Sequence, residues 1–164
     1  MYEIARRAGV GQATLYRHFP DRGALVAAVA EEVLDAVEEE AARVIPPGPR
    51  ALEAFLRLLV ASMVRTHALL QVVVEESSNP REPGSLLHGL VQRLLGMVAE
   101  HFAKAQEAGM LRTGVTLDDM MLVLGMAKGA MEGLPADERE AASARSIELA
   151  LHGILAPSPS PRRR

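Results

Sequence analysis

Apolar residues recur three and four positions apart along almost the whole of this 164-residue chain, the spacing that gathers them on one face of a helix. Ile4, Ala5 and Ala8 share one such face. Leu117, Met121, Leu124 and Lys128 share a second stripe, and Ile147, Leu151 and Ile154–Leu155 a third. Alanine, leucine, glutamate and arginine, all strong helix formers, dominate throughout. No segment alternates apolar and polar residues long enough to argue for a strand. The one β-rich run, Leu69–Leu70–Gln71–Val72–Val73–Val74, lies inside a helical pattern and reads as a buried helix. The pattern predicts an all-α fold.

Punctuation divides these helices. Gly9 to Gly11 predicts a tight turn, and Pro20–Asp21 ends one helix and caps the next. A long helix over about 22–44 is stopped by Pro46–Pro47–Gly48–Pro49. Two helices follow over about 50–66 and 67–77, then a proline–glycine loop from Asn79 to Gly84. Helix returns over about 85–108 and ends at Gly109, a residue suited to a left-handed cap. Thr116 caps another helix, whose first turn holds Asp118 and Asp119 beside the positive end of its dipole. Leu134–Pro135 breaks it, and a last helix covers about 135–155. The expected organisation is a helix-turn-helix head with its linking helix over 1–43, a helical domain over 44–156, and a disordered tail over 157–164 that alternates proline with serine and ends in three arginines.

Composition narrows the class. About half the residues are apolar (49%) and a quarter charged (24%), which suits a globular protein. Charge or glycine interrupts every apolar run before it reaches membrane-spanning length. Met1–Tyr2–Glu3 lacks the basic lead of a secretory signal, so the expected location is cytoplasmic. Cysteine is absent, which excludes disulfides and thiol catalysis. The net charge of −3 argues against a generic polyanion binder, but its distribution is uneven. Arg6, Arg7, Arg17 and Arg22 face only Glu3 and Asp21 in the first 23 residues, whereas residues 31–40 hold six acids and no base. A basic head on an acidic body suggests that only the head meets an anion.

The stretch Met1 to Phe19 carries the sharpest chemical signal. It reads as helix, short turn, helix, with Gly9 supplying positive φ, Ala5 keeping the crossing narrow, Val10 filling the angle, and Leu15 and Phe19 anchoring the second helix. Gln12, Ala13, Thr14, Tyr16, Arg17 and His18 then face outward or sideways. The outward side of such a second helix fits the major groove of a duplex, with its N-terminal residues nearest the base edges. Gln12 can read adenine, and Thr14 can hydrogen-bond a base or touch a thymine methyl. Tyr16 and His18 suit phosphates, as does Arg22 at the start of the next helix.

The run Ile4–Ala5–Arg6–Arg7–Ala8–Gly9–Val10–Gly11, with Thr14–Leu15–Tyr16–Arg17–His18–Phe19 and then Asp21–Arg22–Gly23–Ala24–Leu25, resembles the signature of the TetR family of transcriptional regulators. The rest of the chain is similar in architecture only. The resemblance implies a homodimer built through the last two helices, an effector pocket among the middle helices, and release of an operator when a ligand swings the long helix 22–44. It also implies a further helix ahead of the motif. Relative to that pattern the chain begins inside the second helix, leaving Ile4, Leu15, Phe19 and Leu25 short of cover. Each large side chain so uncovered forfeits about 1.5–3 kcal/mol.

Within that frame, Leu59, Met63, His67, Leu70, Met97, His101 and Met121 are the expected effector-pocket residues. Methionine adapts to irregular apolar ligands, although ordinary core filling is the simpler reading of any single one. Aromatic residues are scarce, so an aliphatic or irregular apolar effector is favoured over a flat one. The dimer interface is expected at Leu117, Met121, Leu124, Gly125, Lys128, Ile147, Leu151 and Ile154, the alternative being packing within one subunit. No histidine pair has the spacing of a metal site, and Glu75–Glu76 and Asp118–Asp119 diverge on their helices as adjacent residues do. No cofactor, metal or convergent catalytic set is implied, and an enzyme is disfavoured. The reading is a ligand-responsive repressor binding double-stranded operator DNA. The alternative is a helical ligand-binding or protein-binding dimer whose shortened head no longer reads DNA.

Overall fold

A computed structural model of the chain describes residues 1–76 and 85–156. The expected Asn79–Gly84 loop and the tail 157–164 lie outside the described residues. Among those residues the order is α1 (Tyr2–Ala8), α2 (Gln12–His18), α3 (Arg22–Val44), α4 (Ala51–Arg65), α5 (His67–Glu76), α6 (Leu86–Glu107), α7 (Leu117–Gly129) and α8 (Ala136–Ile154). There is no strand among them, and one isolated β-bridge joins Leu111 to Leu155. The β-rich run is helical and lies within α5, with Val73 buried.

The ends of these helices follow from local chemistry. Asp21 accepts a hydrogen bond from the Ala24 amide at 2.7 Å, as the capping residue of α3 should. The Asp119 carboxylate reaches back to the Thr116 amide at 2.8 Å and to its hydroxyl at 3.0 Å, closing the first turn of α7. Gly109 ends α6 at φ 66°, and the Met110 amide turns back to the Ala105 carbonyl at 2.9 Å.

The chain forms two compact units, Met1–Ala36 with His67–Arg93, and Val37–Thr66 with Leu94–Arg164. This partition follows contact density and differs from the expected boundary at 43/44. α5 and the first part of α6 are grouped with the N-terminal helix pair.

In the first unit, Ala5 and Leu15 are buried at the N-terminal pair. Val26, Ala30 and Val73 form a small cluster with Leu69, Val72, Leu86 and Leu90 packed against it. Beside this cluster Arg93 on α6 pairs with both Glu31 and Asp35 on α3.

In the second unit, α4, α7 and α8 pack on one another. Their core centres on Leu52, Phe55, Leu56, Met120 and Ile147, each fully buried. Val37 and Ala41 of α3 and Val98, Phe102 and Ala105 of α6 join it. Each large side chain buried in this way contributes about 1.5–3 kcal/mol. Among the described residues no single helix is long and apolar enough to cross a membrane.

Candidate nucleic-acid interface

The N-terminal pair is two helices with a tight break between them. Gly9 ends α1 at φ 68°, ψ 21°, in the left-handed region. Its amide donates to the Arg6 carbonyl at 3.3 Å, and the Val10 amide donates to the Ala5 carbonyl at 3.1 Å. These are the paired bonds of a Schellman cap, which uses up carbonyls that the helix end would leave open. Gly11, in extended conformation, then starts α2, and the Leu15 amide donates back to the Gly11 carbonyl at 3.1 Å. Phe19 leaves the helix extended, and three residues later α3 begins behind the Asp21 cap.

Leu15 alone of α2 is buried, as the sequence spacing requires. Gln12, Ala13, Thr14, Tyr16, Arg17 and His18 are all exposed, as is Arg22 at the first turn of α3. The solvent-exposed side chains of α2 thus include hydroxyl, amide, guanidinium and imidazole groups. Glu3 on α1 accepts from Arg6 at 2.6 Å and from Arg7 at 3.0 Å. These bonds hold the Glu3 carboxyl below its ordinary range, and Glu3 in turn raises Arg6. The tilted His18 and Phe19 rings lie 6.4 Å apart. Tyr2, Ile4 and Val10 are exposed apolar side chains on the α1 side and its turn.

The expected effector residues divide between the units. His67 and Leu70 belong to the first. Leu59, Met63, Met97, His101 and Met121 belong to the second, where Leu59 is buried and the three methionines pack against the core. His101 lies against Phe55 with ring centroids 4.6 Å apart. Burial lowers the His101 pKa from its ordinary value, with Glu100 opposing the shift and Lys104 adding to it. The Nδ1 atoms of His101 and His67 are buried without a hydrogen-bond partner. A groove between α4 and α8, lined by Arg57, Val60, Ala61, Val64, Ser143 and Ile147 among others, includes none of the expected effector residues.

The expected dimer residues divide by burial. Gly125 is exposed, and Leu117, Met121 and Lys128 are half-buried. Leu124, Ile147, Leu151 and Ile154 are core residues of their own unit. At those four positions the single chain shows packing within one subunit, the alternative that the sequence reading kept open. Spacing identifies an apolar stripe but not its destination, and the most apolar stripe of a helix goes into its own core. The apolar side chains that α7 and α8 leave in solvent are Leu122 (66% exposed), Met126 (53%) and Leu149 (57%). Leu122 and Met126 are one turn apart on α7, with Gly125 and Gly129 exposed next to them. Leu122 and Met126 each lie one position beyond Met121 and Gly125, and Leu149 lies midway between Ile147 and Leu151. Among the described residues no group of His, Asp and Glu could hold a metal ion.

With this geometry in hand, comparison with known proteins is specific. Residues 1–29 match the family described as bacterial regulatory proteins, tetR family. Residues 47–156 match the family described as transcriptional regulator SbtR-like, C-terminal domain. A TetR transcription regulatory protein from Mycobacterium vanbaalenii is similar in structure, at 30% identity and TM-score 0.60 over 94% of this chain and 81% of that one. A TetR transcriptional regulator from Streptomyces coelicolor is similar at 28% identity and TM-score 0.59, over 95% of this chain and 86% of that one. The ketosteroid transcriptional regulator of Mycobacterium tuberculosis shares the fold at 16% identity and TM-score 0.64, over 94% and 83%. No curated protein sequence matches the chain.

Proposed function

The chain belongs to the TetR family of transcriptional regulators, and from that premise we propose that it is a ligand-responsive repressor, released from its operator by a small apolar effector. The observation that carries the DNA-binding part is the exposed edge of α2, with Gln12 and Thr14 at its N-terminal end and Leu15 anchoring its back. A second helix so presented inserts its first turn between the strands of the major groove. Gln12, Ala13 and Thr14 then read bases, while Tyr16, Arg17, His18 and Arg22 hold phosphates.

Two such heads are needed for two half-sites, so the functional species is a homodimer. Leu122, Met126 and Leu149 support a seam along α7 and α8, with Gly125 and Gly129 permitting close approach and Lys128 at its edge. The effector reading rests on Met63, Met97 and Met121 with the Nδ1 atom of His101, buried without a hydrogen-bond partner, as the polar contact. Leu59 belongs to that set, all of which lies within the second unit. A ligand acts by binding one arrangement of the heads better than the other. The proposed location is the cytoplasm, where operator DNA lies, and no catalytic role is assigned.

The test is enrichment of duplexes from a random pool by the purified chain, followed by binding to the enriched site across a salt series. A site should emerge, and affinity for it should fall steeply with salt, because each phosphate contact releases condensed counterions. Failure to enrich any sequence at low salt overturns the reading.

A further inference from the structure

We propose that Arg93 is a positioning residue for the DNA-reading head: its guanidinium, forked across Glu31 and Asp35, fixes the direction in which α3 carries that head. The inference rests on the DNA-binding function proposed above.

Glu31 and Asp35 are four residues apart on α3, so their carboxylates leave the helix on the same face. Arg93 comes to them from α6, 62 residues beyond Glu31 and 58 beyond Asp35. One terminal nitrogen donates to the Glu31 carboxylate and, at 3.4 Å, to the Glu31 backbone carbonyl. The other donates to the Asp35 carboxylate. The guanidinium is planar and its donors are fixed relative to one another, so two acceptors one turn apart define both the level and the rotation of α3 against α6.

The apolar contacts beside it lack this directionality. They include the aliphatic cluster of Val26, Ala30 and Val73 with its partly buried neighbours. Apolar burial is governed by area and is non-directional, so it resists separation of the helices better than it resists sliding or rolling. Residues 31–40 carry six acids and no base of their own, and Arg93 supplies a counter-charge from another helix.

The position of the clasp gives it its function. Asp35 precedes by two residues the point where α3 passes from the first unit to the second, and Arg93 is the last residue of α6 before the same passage. Arg93 keeps 26% of its side chain exposed and the two carboxylates about half of theirs, so the fork can open without stranding a buried charge. A displacement of α6 by a single residue's rise, about 1.5 Å, is enough to break one arm. Within the first unit, a shift of α6 at Arg93 is passed to α3 at Glu31 and Asp35.

The experiment uses the full chain and the duplex site that the wild type enriches from a random pool. Base pairs are then added to or removed from the spacer between half-sites, and affinity is measured for each spacing. Arg93→Ala is expected to weaken binding at the preferred spacing about three- to tenfold. It should also flatten the spacing preference, with off-spacing duplexes binding as well as before or better. Arg93→Lys, which keeps the charge without the fork, should flatten it partly. Glu31→Gln/Asp35→Asn should reproduce the Arg93→Ala profile, and the triple variant should be no worse than either.

Retention of the wild-type spacing preference in Arg93→Ala overturns the proposal. So does an equal loss at all spacings accompanied by a lowered melting temperature, since that is the behaviour of a merely structural residue. If the wild type enriches no sequence, the DNA-binding function fails and the inference with it. If a site is enriched and Arg93→Ala behaves as wild type, this inference alone fails.

Discussion

Gly9 holds a backbone conformation, φ 68°, that a β-branched side chain adopts only at a cost of about 1–2 kcal/mol. Space is open around it, so the conformation itself is the constraint. Gly9→Val is therefore expected to disorder the α1–α2 turn and abolish operator binding while the molecular mass in solution stays unchanged. Normal affinity in that variant would remove the turn from the argument. The DNA contacts proposed for α2 are of two kinds. Gln12→Ala should alter which duplexes are enriched, whereas Tyr16→Ala should weaken binding to all of them about equally; competition between related duplexes separates the two outcomes. His101 predicts a pH effect. The folded chain favours the neutral ring, because burial lowers its pKa from the ordinary 6.5, with Glu100 opposing and Lys104 adding to the shift. The unfolded chain takes up a proton first as the solution is acidified, so this residue's contribution to stability is present above about pH 6.5 and is lost as pH falls through the lower folded value. His101→Gln should lose less stability than wild type on that descent, read from denaturant midpoints at each pH. Gly9 and Asp21 were legible in the sequence because their roles depend on their own chemistry. The outward-facing Leu122, Met126 and Leu149 were not, because the choice between two apolar stripes is made by neighbouring helices remote in sequence.

Helix boundaries were the most legible feature of the chain. α3 begins at Arg22 because Asp21 caps it, and α6 ends at Glu107 ahead of the left-handed Gly109. These signals are local, so no tertiary information is needed to place them. The start of α7 is similar, since Thr116 and Asp119 satisfy each other across one turn. Thr116→Ala should cost about 1 kcal/mol of unfolding free energy, measurable as a shift in the denaturant midpoint at constant slope. What local signals leave out is the company an element keeps. α5 was read as a helix from Leu69–Val74, yet its grouping with the N-terminal pair depends on Val73 meeting Val26 and Ala30, a contact between segments more than forty residues apart.

On the scale of the whole molecule, family and fold class were legible because Met1–Phe19 and the helical periodicity are dense signals. The proposed α7–α8 seam is the part that needs a second copy. Leu122→Glu with Leu149→Glu places charge on side chains that are already in solvent in the single chain, so folding should be spared. Sedimentation is expected to show a monomer whose operator affinity has fallen by far more than twofold, because the two half-sites are no longer linked. A dimer persisting in this variant moves the interface elsewhere.

The second unit also closes a loop on itself. Arg112 donates through its backbone to Ile154 and through its guanidinium to the carbonyls of Leu155 and His152, while the Ala156 amide donates to Met110. In a chain without cysteine, this knot of hydrogen bonds joins the exit of α6 to the exit of α8 in the way a crosslink would. Termini are where helical bundles usually begin to fray. With that end tied, unzipping of α8 has to start from its Pro135 side, and the amides nearest Ile154 should be among the last in the helix to exchange with solvent.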